Sequence, residues 1–176
     1  PRAAADCVRY GLTQTVFTPE MVAALDREAA AQSREALVHI KLDTGMNRIG
    51  LRTREEALAL SEALDAAPHV RVTGIYTHFA NADGDEAYTM GQFTRFLELL
   101  SELEGRGITF PIRHCAASAA VLKYPCTHLD MVRPGVILYG LNPTPDCAGL
   151  MDLVPAMDLK STVDMVKKVG QGAQVS

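Results

Sequence analysis

The sequence contains no C-x-x-C pair: its four cysteines, Cys7, Cys115, Cys126 and Cys147, stand apart in a chain of 176 residues. That pattern argues against a disulfide framework and a zinc knuckle, and reads as the reduced thiols of a cytoplasmic protein. The five histidines likewise form no H-x-x-x-H or H-E-x-x-H pair, so no metal site is expected. No apolar run is long enough to cross a bilayer, and no positively charged leader precedes an apolar core. Neither membrane nor secretion is supported within this segment. Lys and Arg number 17 against 21 acidic residues, a net charge of −4 with no basic stripe, so nucleic acid is not an expected partner. Nor is there a block of like charge that would make a disordered tail. What remains is ordinary for a soluble domain, with 48% hydrophobic and 22% charged residues and enough length to bury a core. Both ends read as interrupted. The chain opens on Pro1 rather than Met, and Val175-Ser176 completes no element, which suggests an internal fragment.

Periodicity then orders the chain. Thr18-Pro19 caps and opens a helix whose Met21, Val22, Leu25 and Ala29 share one face. A strand is expected over 37–43, with Val38, Ile40 and Leu42 on one side and His39, Lys41 and Asp43 on the other. Thr53-Arg54-Glu55-Glu56 is a capping box starting a helix that Pro68 ends. A second strand is expected over 70–79. A long helix follows, carrying Met90, Phe93, Phe96, Leu97, Leu100 and Leu103 up to Gly105-Arg106-Gly107. Further strands are expected near 112–116 and 129–133, with a short helix from Ser118 between them. Strand and helix in steady alternation imply α/β architecture with a parallel sheet. After Pro143-Thr144-Pro145 the pattern changes: 157–166 alternates apolar and polar residues, as the first strand of a separate antiparallel β-domain would. The division expected is residues 1–146 and 147–176.

The strand ending at Asp43 has an unusual polar face. An exposed edge would account for it. In a parallel barrel, however, polar residues near a strand's C-terminal end face the active-site mouth. The following turn brings Arg48 back over that mouth, and Lys41 and Arg48 held close would repel without an anion. Either an acidic ligand lies there or Lys41 bears an anionic modification. His78 closes the second strand. Ser118 is an N-cap candidate at a helix start able to take phosphate. Arg133-Pro134-Gly135-Val136 reads either as a simple turn or as bare amides for a phosphate. Each residue alone favours the plainer reading, but four candidates at consecutive strand ends favour a pocket.

These residues fall in longer stretches, His39-Ile40-Lys41-Leu42-Asp43-Thr44-Gly45-Met46-Asn47-Arg48-Ile49-Gly50 and Met131-Val132-Arg133-Pro134-Gly135-Val136-Ile137-Leu138-Tyr139-Gly140. With Gly74 to Ala80, Gln92-Phe93 and His114 to Ala120 between them, they resemble, in order and spacing, the motifs of the alanine racemase family. The resemblance implies a (β/α) barrel, here partial and lacking its N-terminal strands, that binds pyridoxal 5'-phosphate and precedes a β-domain in a homodimer. It implies Arg48 near the cofactor's phenolic oxygen and the substrate carboxylate, and Lys41 as a lysine carboxylated in many members. His78 would position Arg133, Arg133 would face the pyridine nitrogen, and Ser118, Gly135 and the Val136 amide would hold the phosphate. Ala117 departs from the asparagine usual before that serine. None of Lys41, Lys123, Lys160, Lys167 and Lys168 sits in the Schiff-base motif, and the tyrosine base belongs to the β-domain, so the segment alone is expected to be inactive. The activity implied is interconversion of L- and D-alanine for peptidoglycan precursors. Two alternatives are a serine/alanine racemase module of a vancomycin-resistance protein and a non-catalytic pyridoxal-phosphate-binding module.

Overall fold

The computed structural model describes residues 3–174; Pro1 and Val175-Ser176, where the sequence reads as interrupted, lie outside the described residues. Helix α1 (Ala4–Arg9) leads into strand β1 (Gln14–Val16), neither of which the sequence pattern announced. Alternation then proceeds as expected: α2 (Pro19–Ala31), β2 (Ala36–Lys41), α3 (Arg54–Asp65), β3 (Val70–Tyr76), α4 (Glu86–Glu104), β4 (Ile112–His114) and α5 (Ser118–Lys123). The four strands form one sheet in the order β1-β2-β3-β4, every pairing parallel. This is the α/β architecture read from the sequence, four strands of a barrel wall.

The local signals act as their chemistry requires. Thr18 caps α2 through the Met21 amide, with Pro19 at the first helical position. In α3 the Thr53 hydroxyl accepts from the Glu56 amide while the Glu56 carboxylate accepts from the Thr53 amide, closing the capping box. Val38 and Ile40 on β2 and Leu42 just past its end are fully buried beneath the helices, where Val22, Leu60 and Phe96 are equally shut off from water. Each such aliphatic chain stabilises the fold by roughly 1.5–3 kcal/mol. The opposite face of β2, carrying His39 and Lys41, is therefore turned away from the helical layer.

Two strands end early. β3 stops at Tyr76, so His78 stands two residues beyond it rather than inside it. β4 is confined to Ile112–His114. The strand expected over 129–133 is not formed: a single parallel bridge joins Arg133 to Ala117, with Arg133 N–H donating to Ala116 O at 2.9 Å. The reason is local. Leu129 takes a left-handed φ of 51°, and the Asp130 carboxylate accepts the Arg113 amide at 2.9 Å, occupying the donor a strand neighbour would need. The strand expected over 157–166 is also absent. That segment is exposed and carries no regular structure, because no other described segment lies beside it to complete a ladder. Just before it, Ala156 N–H donates to Tyr139 O at 3.1 Å.

Candidate cofactor site

Strand register assembles the site. Thr15, His39 and Gly74 lie in one cross-strand row, and Lys41, Tyr76 and His114 in the next. Alternation sends these side chains to the face opposite the aliphatic core. Their spacing depends on a bulge, since the register between β2 and β3 shifts at Val38/His39. Gly74 makes room for it. A Cβ there would lie 2.5 Å from Ile112 O and 2.7 Å from His39 Nε2.

Arg133 reaches into this face from the segment beyond β4. One terminal nitrogen donates to Thr77 O at 3.0 Å, His78 Nδ1 at 3.1 Å and Cys115 O at 3.2 Å, and the other to His114 Nδ1. Its guanidinium carbon sits 5.3 Å from the Tyr76 ring centre. Tyr76 in turn stacks on His114, with centroids 4.7 Å apart and planes 9° from parallel, and its hydroxyl meets Thr15 Oγ1 at 2.9 Å. A guanidinium only donates, so Nδ1 of both His78 and His114 must accept. His114 then carries its proton on Nε2 and offers it to His39 Nδ1, 2.9 Å away. All three imidazoles are held neutral. Burial, then the charges of Arg133, Arg48 and Lys41, brings His78 down to about 4. Burial, then Arg133 and His39, brings His114 to about 3. Burial alone lowers His39.

Lys41 is 2% exposed, its ammonium donating to Leu42 O and lying 5.3 Å from the Tyr76 ring centre. Burial lowers its pKa to about 8; Asp43 opposes the shift, while Arg133 and Arg48 add to it. Arg48 is exposed and approaches from the β2–α3 loop. Asp43 folds that loop: its carboxylate accepts from the amides of Gly45 at 3.1 Å and Asn47 at 3.0 Å. Although burial alone would raise the Asp43 pKa, these amides and Lys41 more than offset it and keep the acid ionised. The result is a cavity of about 390 Å³ lined by Arg48, Arg133, His39, His78, His114 and Tyr76 among others, with no carboxylate in its wall.

A smaller cavity of about 260 Å³ lies on the far side of His78, lined also by Met46, Ser118, Ala119 and Ala120. Ser118 is the first residue of α5 rather than its cap, which is Ala117 with no side-chain bond. The Ser118 hydroxyl instead accepts from the Gly135 amide at 2.8 Å, leaving its own proton free. Val136 opens the 3-10 turn Val136–Tyr139 directly after. The structure thus gathers Lys41, Arg48, His78 and Arg133 around one face and pairs Ser118 with Gly135 beside it. Sequence reasoning missed Thr15, Tyr76 and Thr77, and did not foresee His39 and His114 as successive links from Arg133. For Tyr76 and His114, strand parity with Lys41 was the available signal. Among the described residues no cluster of His, Cys, Asp and Glu could hold a metal, and no helix is long and apolar enough to cross a membrane.

The sequence profile of the alanine racemase N-terminal domain matches residues 1–143. An alanine racemase of Desulforamulus reducens is 47% identical over 178 residues, covering 100% of this chain and 48% of the relative. That of Desulfovibrio desulfuricans is 46% identical, again over 100% of this chain and 47% of the relative. Among solved structures, the Clostridium difficile 630 alanine racemase in complex with cycloserine superposes at a TM-score of 0.87 with 33% identity, covering 95% of this chain and 46% of the other. The Bacillus anthracis alanine racemase with bound L-Ala-P gives a TM-score of 0.81 with 34% identity over 88% of this chain and 41% of the other. The chain spans about half the length of the curated relatives it matches. A parallel sheet with a cationic, histidine-lined face, a matching domain profile and relatives near half identity lead to one conclusion: the chain belongs to the alanine racemase family.

Proposed function

We propose that this chain supplies much of the pyridoxal 5'-phosphate pocket of an alanine racemase interconverting L- and D-alanine. The observation that supports it most is the half-buried Arg133, held by carbonyls and neutral histidines in a cavity wall without a carboxylate. A cation withdrawn even partly from water without a counter-charge is costly, and an anionic ligand offsets that cost. The donor set fits the cofactor. Ser118 keeps a free hydroxyl proton beside the first turn of α5, whose amides lack intrahelical partners. At Gly135 a Cβ would meet only Ser118 Oγ at 3.7 Å, and the missing side chain leaves room for a phosphate beside the Ser118 hydroxyl.

When bound, the cofactor supplies an electron sink for the carbanion formed as the α-proton leaves. Arg133 faces the pyridine nitrogen. Because it stays protonated it cannot accept a hydrogen bond from a ring N–H and so does not favour a protonated ring, which keeps the sink moderate and confines the chemistry to removing and returning one proton. His78 orients Arg133, while Ser118, Gly135 and the Val136 amide hold the phosphate. Arg48 orients the phenolic oxygen and the substrate carboxylate. Lys41, with an amine pKa brought to about 8, takes up carbon dioxide as a carbamate and becomes the anion that Arg48 faces. The two bases, a lysine and a tyrosine, belong to segments other than these 176 residues. The whole protein is then a cytoplasmic homodimer supplying D-alanine for peptidoglycan, with residues 1–146 in the barrel and 147–176 opening a β-domain.

The test has two arms. The full-length protein should racemise L-alanine with added pyridoxal 5'-phosphate, and Arg133→Ala should lower the rate by about a hundred-fold or more. The 176-residue chain alone should show no turnover. An inactive full-length protein sinks the reading; an active 176-residue chain overturns the placement of the bases.

A further inference from the structure

Gln92 is fully buried in the middle of α4, and its amide serves neither a helix nor a strand. The Ala80 backbone N–H points at it from 2.8 Å. A backbone N–H only donates, so the atom facing it is Oε1 and the amide has one orientation. Its NH2 group then reaches Thr44 Oγ1 at 3.4 Å. Thr44 Oγ1 lies 2.8 Å from Thr77 Oγ1, and the Thr77 hydroxyl gives its single proton to Leu42 O at 3.0 Å. With that proton committed, Thr44 must donate to Thr77 and accept from Gln92. The bonds run one way, from Gln92 through Thr44 and Thr77 to the Leu42 carbonyl, where the Lys41 ammonium also donates. Thr44 and Thr77 are 3% and 0% exposed, so water does not replace these bonds.

The residues joined are not arbitrary. Thr44 opens the loop that carries Arg48. Thr77 precedes His78 and gives its own carbonyl to Arg133, and Ala80 follows His78. One turn earlier on α4, the Tyr88 hydroxyl donates to Gly45 O at 2.7 Å and the Thr89 hydroxyl to Asp85 O at 2.7 Å, fixing the outer ends of both loops. An aliphatic side chain of similar size would fill the Gln92 site without the desolvation cost of an amide. The amide adds direction and register.

We infer that Gln92 is a positioning residue that ties the loop carrying Arg48 to the loop carrying His78, so that the two reach the cofactor face in a fixed relation. This rests on the reading that the face binds pyridoxal 5'-phosphate. The experiment is amide hydrogen exchange on wild type, Gln92→Leu and Thr44→Val, with the imidazole nitrogen signals of His78 and His128 followed by NMR. In Gln92→Leu, protection at Ala80 and across 45–48 should fall by about ten-fold, the worth of a lost buried hydrogen bond, while β2 and α3 keep theirs. The His78 signal should move and that of His128, bonded to Val121 O away from α4, should not. The affinity for pyridoxal 5'-phosphate should weaken by a comparable factor. Thr44→Val should loosen 45–48 and leave Ala80 protected, and it decides the matter if Gln92→Leu does not fold. Uniform loss of protection, or no change in either loop, overturns the inference. Failure of the wild-type protein to bind pyridoxal 5'-phosphate overturns the functional reading instead, while the exchange pattern still decides whether Gln92 ties the loops.

Discussion

Arg133 acts on its neighbours before it acts on any ligand. After burial, its charge is the largest influence holding His78 near 4 and His114 near 3. Arg133→Gln removes that charge while keeping donors for the carbonyls around it. Both imidazole pKa values should then rise, yet remain below the ordinary value near 6.5 because burial persists. An NMR pH titration of the ring signals reads this directly, and unchanged titration curves would show that Arg133 does not govern the histidines. The sequence made Arg133, His78, Lys41 and Arg48 legible because polar residues at the C-terminal ends of strands mark where a barrel presents its chemistry. It left Thr77, Tyr76 and Gln92 obscure. Their roles rest on contacts between distant parts of the chain, 33 positions apart for Thr44 and Thr77, 48 for Thr44 and Gln92 and 61 for Thr15 and Tyr76, which no local pattern records.

At the scale of elements, alternation of periods exposed three of the four strands and the helices between them, and the capping box located α3 to the residue. Failures came where a side chain took over a backbone's task. Asp130 grips the Arg113 side chain at 2.7 and 3.2 Å as well as its amide, and the apolar run before Arg133 therefore never becomes a strand. β1, only three residues long, has too little sequence to show a period. The bulge at Val38/His39 was equally hidden, since it depends on Gly74 lying opposite. Gly74→Ala tests that arrangement. Its methyl group would collide with Ile112 O, which is backbone, and with the His39 ring, so the strands must part or the ring must turn. Destabilisation of about 1–3 kcal/mol is expected, with loss of the His39–His114 bond. Chemical denaturation gives the first quantity and the His39 ring nitrogen signal the second. A variant as stable as wild type with that signal in place would mean that β3 and β4 tolerate a wider spacing.

The molecule as a whole stores charge unevenly: a cationic face bearing Lys41, Arg48 and Arg133 is built around imidazoles that must stay neutral for the hydrogen bonds to hold. This ties folding to pH with a definite sign. His39, His78 and His114 all have folded pKa values below the unfolded value near 6.5. Between those limits the unfolded chain binds more protons than the folded one, so acid favours unfolding. Their contribution is intact above pH 6.5 and is lost as pH falls towards 4 and then 3. The slope is at most about 1.4 kcal/mol per pH unit for each group, and less for the half-buried His39 and His78, whose charged forms keep some water. Carboxylates cannot account for a loss that starts so high, because Asp43 and Asp130 are themselves held below the ordinary Asp value and stay ionised across the upper part of this window. Thermal unfolding followed by circular dichroism between pH 7.5 and 5 should therefore show a falling midpoint. His114→Asn, whose side-chain oxygen can still accept from Arg133 but does not titrate, should flatten the fall. A midpoint that holds constant to pH 5, or falls as steeply in the variant, would show that the neutral imidazoles do not set the acid limit of the fold.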